Sequence, residues 1–120
     1  KDRPVVVVVG DGSFMYNPVI QSLALSKHAA LPILIVVSNN SGYLAMKTEH
    51  QAFYPDGIAE ANDLFHGHPV TDLPYEELVQ PFGGFGRRVD DLAALPAALA
   101  EGLAAVKDGR TAILNVMVDP

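Results

Sequence analysis

Apolar and polar positions follow two different periods along this chain. Val5-Val6-Val7-Val8-Val9 and Ile33-Leu34-Ile35-Val36-Val37 are uninterrupted aliphatic runs, the pattern of strands covered on both faces, as in a parallel sheet. Between them Val19, Ile20, Leu23 and Ala24 recur at helical spacing, which predicts a helix lying on that sheet. Asn17 reads as its N-cap and Pro18 as its first helical residue, and Pro32 ends the return. Strand, helix and strand joined this tightly form a βαβ unit, with parallel strands and a right-handed crossover.

Past the second run, Ser38-Asn39-Asn40-Ser41-Gly42 is a cluster of turn formers with amide side chains. Tyr43 to about Phe53 can be helical. Tyr54 to Pro74 is rich in Pro, Gly, Asp and His without periodicity, and loops of this length in a compact domain are functional or mobile. Tyr75 to Phe82 predicts a short helix broken near Pro81 and Gly83-Gly84, and Gly86 to Val89 a third strand. Asp90-Asp91 caps an Ala/Leu helix running to about Lys107, with Gly109 as its stop, and Thr111 to Val118 is the last strand. The fold class that follows is α/β, a parallel sheet flanked by helices.

The remaining composition narrows the function. One hundred and twenty residues, nearly half of them apolar, support a single folded domain with a modest core. A net charge of −6 argues against nucleic acid or an anionic membrane as partner. An anionic ligand must then be held by local amides or a cation. There is no cysteine, so disulfides and thiolate metal sites are excluded, in agreement with a cytoplasmic setting. No apolar run reaches transmembrane length, and no signal-peptide pattern is present. Lys1-Asp2-Arg3-Pro4 leads almost at once into a strand, which suggests a sheet incomplete at its amino-terminal side and a piece of a larger polypeptide.

The chemistry concentrates at two turns. Gly10-Asp11-Gly12-Ser13 follows the first strand and Asn39-Asn40-Ser41-Gly42 the second, and parallel strands put both turns on the carboxyl edge of the sheet, where ligands bind in such folds. One carboxylate, one amide oxygen and nearby carbonyls make an all-oxygen set of low charge, suited to Mg2+ or Ca2+ and unsuited to zinc. A single carboxylate leaves most of the divalent charge uncompensated, so ligand phosphates and water would complete the shell. Gly12 and Ser13 add amide and hydroxyl donors near a helix start. These residues predict a metal-bridged diphosphate.

Gly10-Asp11-Gly12-Ser13, then a helix and a strand, then Asn39-Asn40, resembles the thiamine diphosphate signature of the 2-oxo-acid decarboxylase and acetolactate synthase superfamily. The similarity in element order extends over essentially the whole chain and is to the carboxyl-terminal, diphosphate-binding domain, a Rossmann-like three-layer fold. The resemblance implies thiamine diphosphate and Mg2+ as cofactors. It implies that Asp11, the Asn40 side chain and the Gly42 carbonyl ligate Mg2+, and that Gly10, Gly12 and Ser13 contact the diphosphate, while Asn39 ties the loop together. It also places Tyr43, Leu44 and Met46 near the reactive end of the cofactor. Pyruvate decarboxylases of the yeast type carry a glutamate at the position of Met46, so that proton-handling role has no obvious candidate here; benzoylformate decarboxylases, with an apolar residue, fit better. The Gln-Trp pair of acetolactate synthases is missing.

Lys47, Glu49 and His50 are the other titratable residues near that segment, and His50 is the one candidate for a catalytic proton shuttle. His66 and His68 flank Gly67 without a third ligand at suitable spacing, so no metal site is expected there. Arg87-Arg88 reads as a solvated strand edge, and Tyr75, Phe82 and Phe85 as core. The resemblance further implies that the activating glutamate comes from the pyrimidine-binding domain of a neighbouring subunit, in a homodimer or homotetramer, with a 2-oxo acid or related acyl donor as substrate. Two other readings use the same α/β layout: a domain that keeps the fold in a regulatory or structural role, and a flavodoxin-like or response-regulator-like domain. The latter needs an acidic cluster, and only Asp11 qualifies.

Overall fold

The computed structural model describes residues 3–70 and 73–119; Lys1 and Asp2 of the leading segment, and Thr71 and Asp72 of the long loop, lie outside them. Four strands, β1 (Val5–Gly10), β2 (Ile33–Asn39), β3 (Phe85–Val89) and β4 (Ala112–Met117), form one parallel sheet in the order β1-β2-β4-β3. The helices are α1 (Asp11–Tyr16), α2 (Val19–His28), α3 (Leu44–Phe53), α4 (Ile58–Asn62) and α5 (Leu95–Lys107). A 3-10 segment spans Tyr75–Phe82 and a 3-10 turn Leu92–Ala94. Among the described residues no helix is long and apolar enough to cross a membrane.

Strand alternation splits the core into two layers. Leu34, Leu114 and Val116 face Ala98, Ala105 and Val106 of α5. Ile35, Val37 and Ile113 face the opposite way, onto Phe14, Leu23, Tyr75 and Val79. Helices on both faces of the sheet are thus held by β2 and β4, the two central strands.

Two expectations change. The valine run of β1 was expected to be covered on both faces, but β1 is an edge strand whose Val5 to Val8 are 39–73 % exposed. A continuous apolar run reports that a strand suits burial and does not say what covers it. Asn17 does not cap α2; its Nδ2 donates to the Ser13 carbonyl at 2.7 Å, and Pro18 stands at the cap position without a side-chain bond. Asp11 to Ser13 are themselves helical, and α1 leaves its last carbonyls in need of donors, which Asn17 supplies from four residues on.

At the other end, Asp91 Oδ1 accepts from the Ala93 N–H at 2.9 Å and starts the 3-10 turn that leads into α5. Gly109 ends that helix with φ +84°. Arg87 and Arg88 lie on β3, the opposite edge strand, and pair with Glu101 at 2.6 Å and Asp90 at 2.7 Å.

Candidate functional site

The register of β1 on β2 pairs Gly10 with Ser38, so the turns that follow leave the same edge together. Asp11, the first residue of α1, is 2 % exposed. Its Oδ2 accepts a hydrogen bond from the Gly42 N–H at 2.7 Å, across 31 residues of sequence. Oδ1, the other carboxylate oxygen, faces the Asn40 side chain.

The Asn40 side-chain amide reaches two oxygens, the Gly42 carbonyl at 2.9 Å and Asp11 Oδ1 at 3.2 Å; with Nδ2 on that side it donates to both, and with its oxygen there three oxygens converge. Oxygens so placed repel one another unless a cation lies among them. With no cation, Nδ2 takes that side. With one, the observed spacing suits Mg2+, because adjacent corners of an octahedron of Mg–O bonds are about 2.9 Å apart. Among the described residues no group of three or more His, Cys, Asp or Glu converges on one point.

The loop between β2 and α3 owes its shape to neighbours far away in sequence. Ser41 (φ +65°) and Gly42 (φ +144°) both lie in the left-handed half of backbone space. A Cβ on Gly42 would also stand 2.6 Å from the Gly67 carbonyl oxygen, so this position requires glycine twice over. The 65–70 turn is strapped to the loop by two backbone bonds: the Tyr43 N–H donates to the Gly67 carbonyl at 2.9 Å, and the Val70 N–H to the Ser41 carbonyl at 2.6 Å. The Tyr43 ring lies against Gly12, where a Cβ would come within 2.8 Å of it. That ring also meets Tyr16 edge-on, with centroids 5.6 Å apart.

Among the described residues, two buried side-chain polar atoms have no hydrogen-bond partner, Tyr75 Oη and His68 Nδ1. Both border this loop. His68 Nδ1 would be 3.1 Å from a Cβ on Gly42. Tyr75 is 5 % exposed and meets Phe14 edge-on, with centroids 5.5 Å apart. Burial first, and then the charges of Asp11 and Tyr43, push its hydroxyl up to about 12. Orphaned buried polar atoms are rare in folded proteins; two of them flanking the converging oxygens fit a site completed by a polar ligand. The sequence assigned Tyr75 to the core and nothing to His68. No linear signal marks either, since their relation to Asp11 arises only where the 65–70 turn and the 75–82 segment come against the loop.

Tyr75→Phe tests the orphaned hydroxyl. Removing an unsatisfied buried hydroxyl should leave the cofactor-free protein as stable, or stabilise it by about 1 kcal/mol, in thermal denaturation near neutral pH. Because the hydroxyl holds its proton more tightly in the folded than in the unfolded state, its contribution is constant below about pH 10 and is lost as pH rises from there to about 12. The variant should lack that part of the alkaline loss, as measured by melting temperature against pH.

The other candidates are dispersed. Leu44 opens α3 and is half-buried; Met46 is 56 % exposed. Met46 and His50 line a groove of about 320 Å³ with Lys47, Ile58, Leu64 and Phe65. The His50 ring sits between Tyr54 and Phe65, at centroid distances of 5.4 and 5.7 Å. Lys47 Nζ pairs with Asp63 at 3.3 Å and lies 4.8 Å from the Phe65 ring centroid. His50 therefore belongs to an aromatic cluster on α3 and the 54–65 segment, and its ring contacts do not include the Asp11 loop. Gly10 caps α1 and exposed Ser13 follows Asp11 on the same helix.

Comparison with known proteins assigns the family. Residues 1–116 match the family described as thiamine pyrophosphate enzyme, C-terminal TPP binding domain. The chain is 32 % identical over 122 residues to 2-hydroxyacyl-CoA lyase of Arabidopsis thaliana, covering 99 % of this chain and 20 % of that protein. It is 30 % identical over 119 residues to the acetolactate synthase isozyme 3 large subunit of Escherichia coli K12, covering 98 % and 19 %. In fold it is similar to the thiamine diphosphate-dependent 4-hydroxybenzoylformate decarboxylase of Rhodococcus jostii RHA1, with a TM-score of 0.71 and 24 % identity over 98 % of this chain and 20 % of that one. The chain thus spans about a fifth of the length of these relatives. It belongs to the thiamine pyrophosphate enzymes and represents their carboxyl-terminal cofactor-binding domain, with thiamine diphosphate as cofactor.

Proposed function

We propose that this chain forms the Mg2+–diphosphate half of the cofactor site in an enzyme that decarboxylates or ligates a 2-oxo acid or related acyl donor. The observation that carries this reading is the Asn40 side-chain amide lying 2.9 Å from the Gly42 carbonyl oxygen and 3.2 Å from Asp11 Oδ1. Thiamine diphosphate, when bound, supplies an electron sink for cleaving or forming the bond next to a carbonyl. Asp11 would contribute the charge, and its Oδ2 holds the N–H of Gly42, the residue whose carbonyl would be the third ligand. Asn40 adds a neutral oxygen, which leaves net positive charge at the metal for phosphate oxygens to balance. Gly12 and Ser13 border the same edge and offer an amide and a hydroxyl to the diphosphate. Tyr43 packs on Gly12 and closes one side of the cradle.

The groups that act on substrate belong to other parts of the protein in this reading, in a homodimer or homotetramer where a neighbouring subunit's pyrimidine-binding domain completes the site. Exposed apolar side chains support it: Met15 and Tyr16 on α1, and Phe53, Tyr54 and Ile58 beyond the metal loop, form surface that more protein would cover. The lack of cysteine fits a cytoplasmic setting.

Calorimetric titration of thiamine diphosphate tests the proposal. Tight binding is expected in the full-length protein only when Mg2+ is present, together with CO2 release from a 2-oxo acid. The isolated 120-residue chain should bind weakly if at all. Tight, Mg2+-independent binding in either would overturn the assignment of these oxygens.

A further inference from the structure

Behind the metal loop runs a chain of buried amides that ends on a carboxylate. The Ser41 N–H donates to Asn39 Oδ1 at 2.9 Å, and Asn39 Nδ2 donates to Asn115 Oδ1 at 3.0 Å. Asn115 Nδ2 in turn donates to Glu76 Oε2 at 2.8 Å and to the Leu73 carbonyl at 3.3 Å. Asn39 is buried and Asn115 is 0 % exposed, in the middle of central strand β4. An amide in the interior of a strand is costly to bury, and it is retained only if its bonds are all made.

The order of donors in this chain has one solution. A carboxylate and a carbonyl can only accept, so Glu76 and Leu73 fix the NH2 of Asn115 on their side. Asn115 then presents oxygen to Asn39, Asn39 must present its NH2 to Asn115, and its oxygen is left for the Ser41 N–H. Reversing any amide would set donor against donor or acceptor against acceptor. Ser41 is thereby held at φ +65°, directly before Gly42. The Val118 N–H donates to the Asn39 carbonyl at 2.9 Å and pins the same residue to β4 from its main chain.

We infer that Glu76 and Asn115 are positioning residues for the cation: together they set the conformation of Asn39–Ser41 that brings the Asn40 amide within reach of both the Gly42 carbonyl and Asp11. The inference rests on the proposed Mg2+ site. It adds two residues that touch neither metal nor cofactor and lie 76 and 39 residues in sequence from the groups they act on. Partners of this kind, one shell out from the ligands, set metal affinity through orientation.

The test measures the Mg2+ concentration that half-saturates cofactor binding in the full-length protein, followed by the circular dichroism of bound thiamine diphosphate. Melting temperature without Mg2+ is recorded for each variant. Glu76→Ala and Asn115→Leu are each expected to raise that concentration about tenfold, as loss of an outer-shell partner does. Glu76→Gln keeps an acceptor and loses only the charge, so it should raise it by roughly threefold or less. Half-buried Glu76 can be truncated without opening the core, so its variant reports even if Asn115→Leu fails to fold. Unchanged Mg2+ dependence in Glu76→Ala, with binding lost in Asp11→Ala, would overturn the positioning role and leave the metal site standing. A lowered melting temperature with unchanged Mg2+ dependence would do the same. Unchanged dependence in Asp11→Ala would overturn the metal site itself.

Discussion

Asp11→Ala should abolish Mg2+-dependent binding of thiamine diphosphate, with a loss of roughly a hundredfold or more, because a metal ligand matters at least as much as the partners that orient it. The carboxylate is the sole charged member of the oxygen set, and its Oδ2 is also the acceptor for the Gly42 N–H. Truncation therefore has a second cost: a buried amide N–H is left without a partner, worth about 1–3 kcal/mol. Asp11→Asn separates the two effects. An asparagine that turns its oxygen to the Gly42 N–H keeps the loop closed, so its melting temperature should lie nearer the parent's than that of Asp11→Ala. It would then face the metal position with NH2 and bind no cation. Calorimetry against Mg2+ at saturating thiamine diphosphate, paired with thermal melts, reads both. An Asp11→Asn protein that binds Mg2+ normally would show that the carboxylate serves the loop and not the ion.

Gly42→Ala should be the most damaging single methyl group in the loop. Its φ of +144° is one that residues with a Cβ avoid, and the added carbon would meet the Gly67 carbonyl oxygen at 2.6 Å. Both atoms in that clash are held by the strap between the 65–70 turn and the loop, so relief means breaking the Tyr43 N–H bond to Gly67 or the Val70 N–H bond to Ser41. Strain of this kind costs about 1–3 kcal/mol, and a displaced Gly42 carbonyl no longer faces Asp11 and Asn40. Lower thermal stability together with Mg2+ affinity reduced by an order of magnitude or more is the expected pair of results; intact affinity would show that the Gly42 carbonyl is not part of the cation shell.

Much of this site was legible because strand ends write themselves into sequence. The aliphatic run to Val9 followed by Gly10-Asp11-Gly12, and the run to Val37 followed by Asn39-Asn40, locate two turns, and parallel pairing puts them side by side. The βαβ reading then brings Asp11 to the second turn before any coordinates. The same logic does not say what covers Val5 to Val8: within this chain β1 is an edge strand, and the run encodes only suitability for burial. It failed at Asn17, since an asparagine can serve the end of one helix as well as the start of the next, and only the backbone path shows which. It had no purchase on Tyr75, which any pattern would send to the core by its ring while saying nothing of its hydroxyl.

The family resemblance singled out Asp11, Asn40 and Gly42 within the two turns; the sequence by itself determined the α/β layout and the shared sheet edge on which those turns lie. These follow from period, turn chemistry and strand pairing, which act over a few residues or repeat along a strand. Only the tertiary structure decided how the Asn39 and Asn115 amides are oriented, why Gly42 must be glycine, and that Glu76 and Asn115 stand behind the loop. An amide has no preferred direction until its partners are in place, and here those partners arrive from segments 39 to 76 residues away. Positions at such distances are set by packing of the whole core, which no local pattern records.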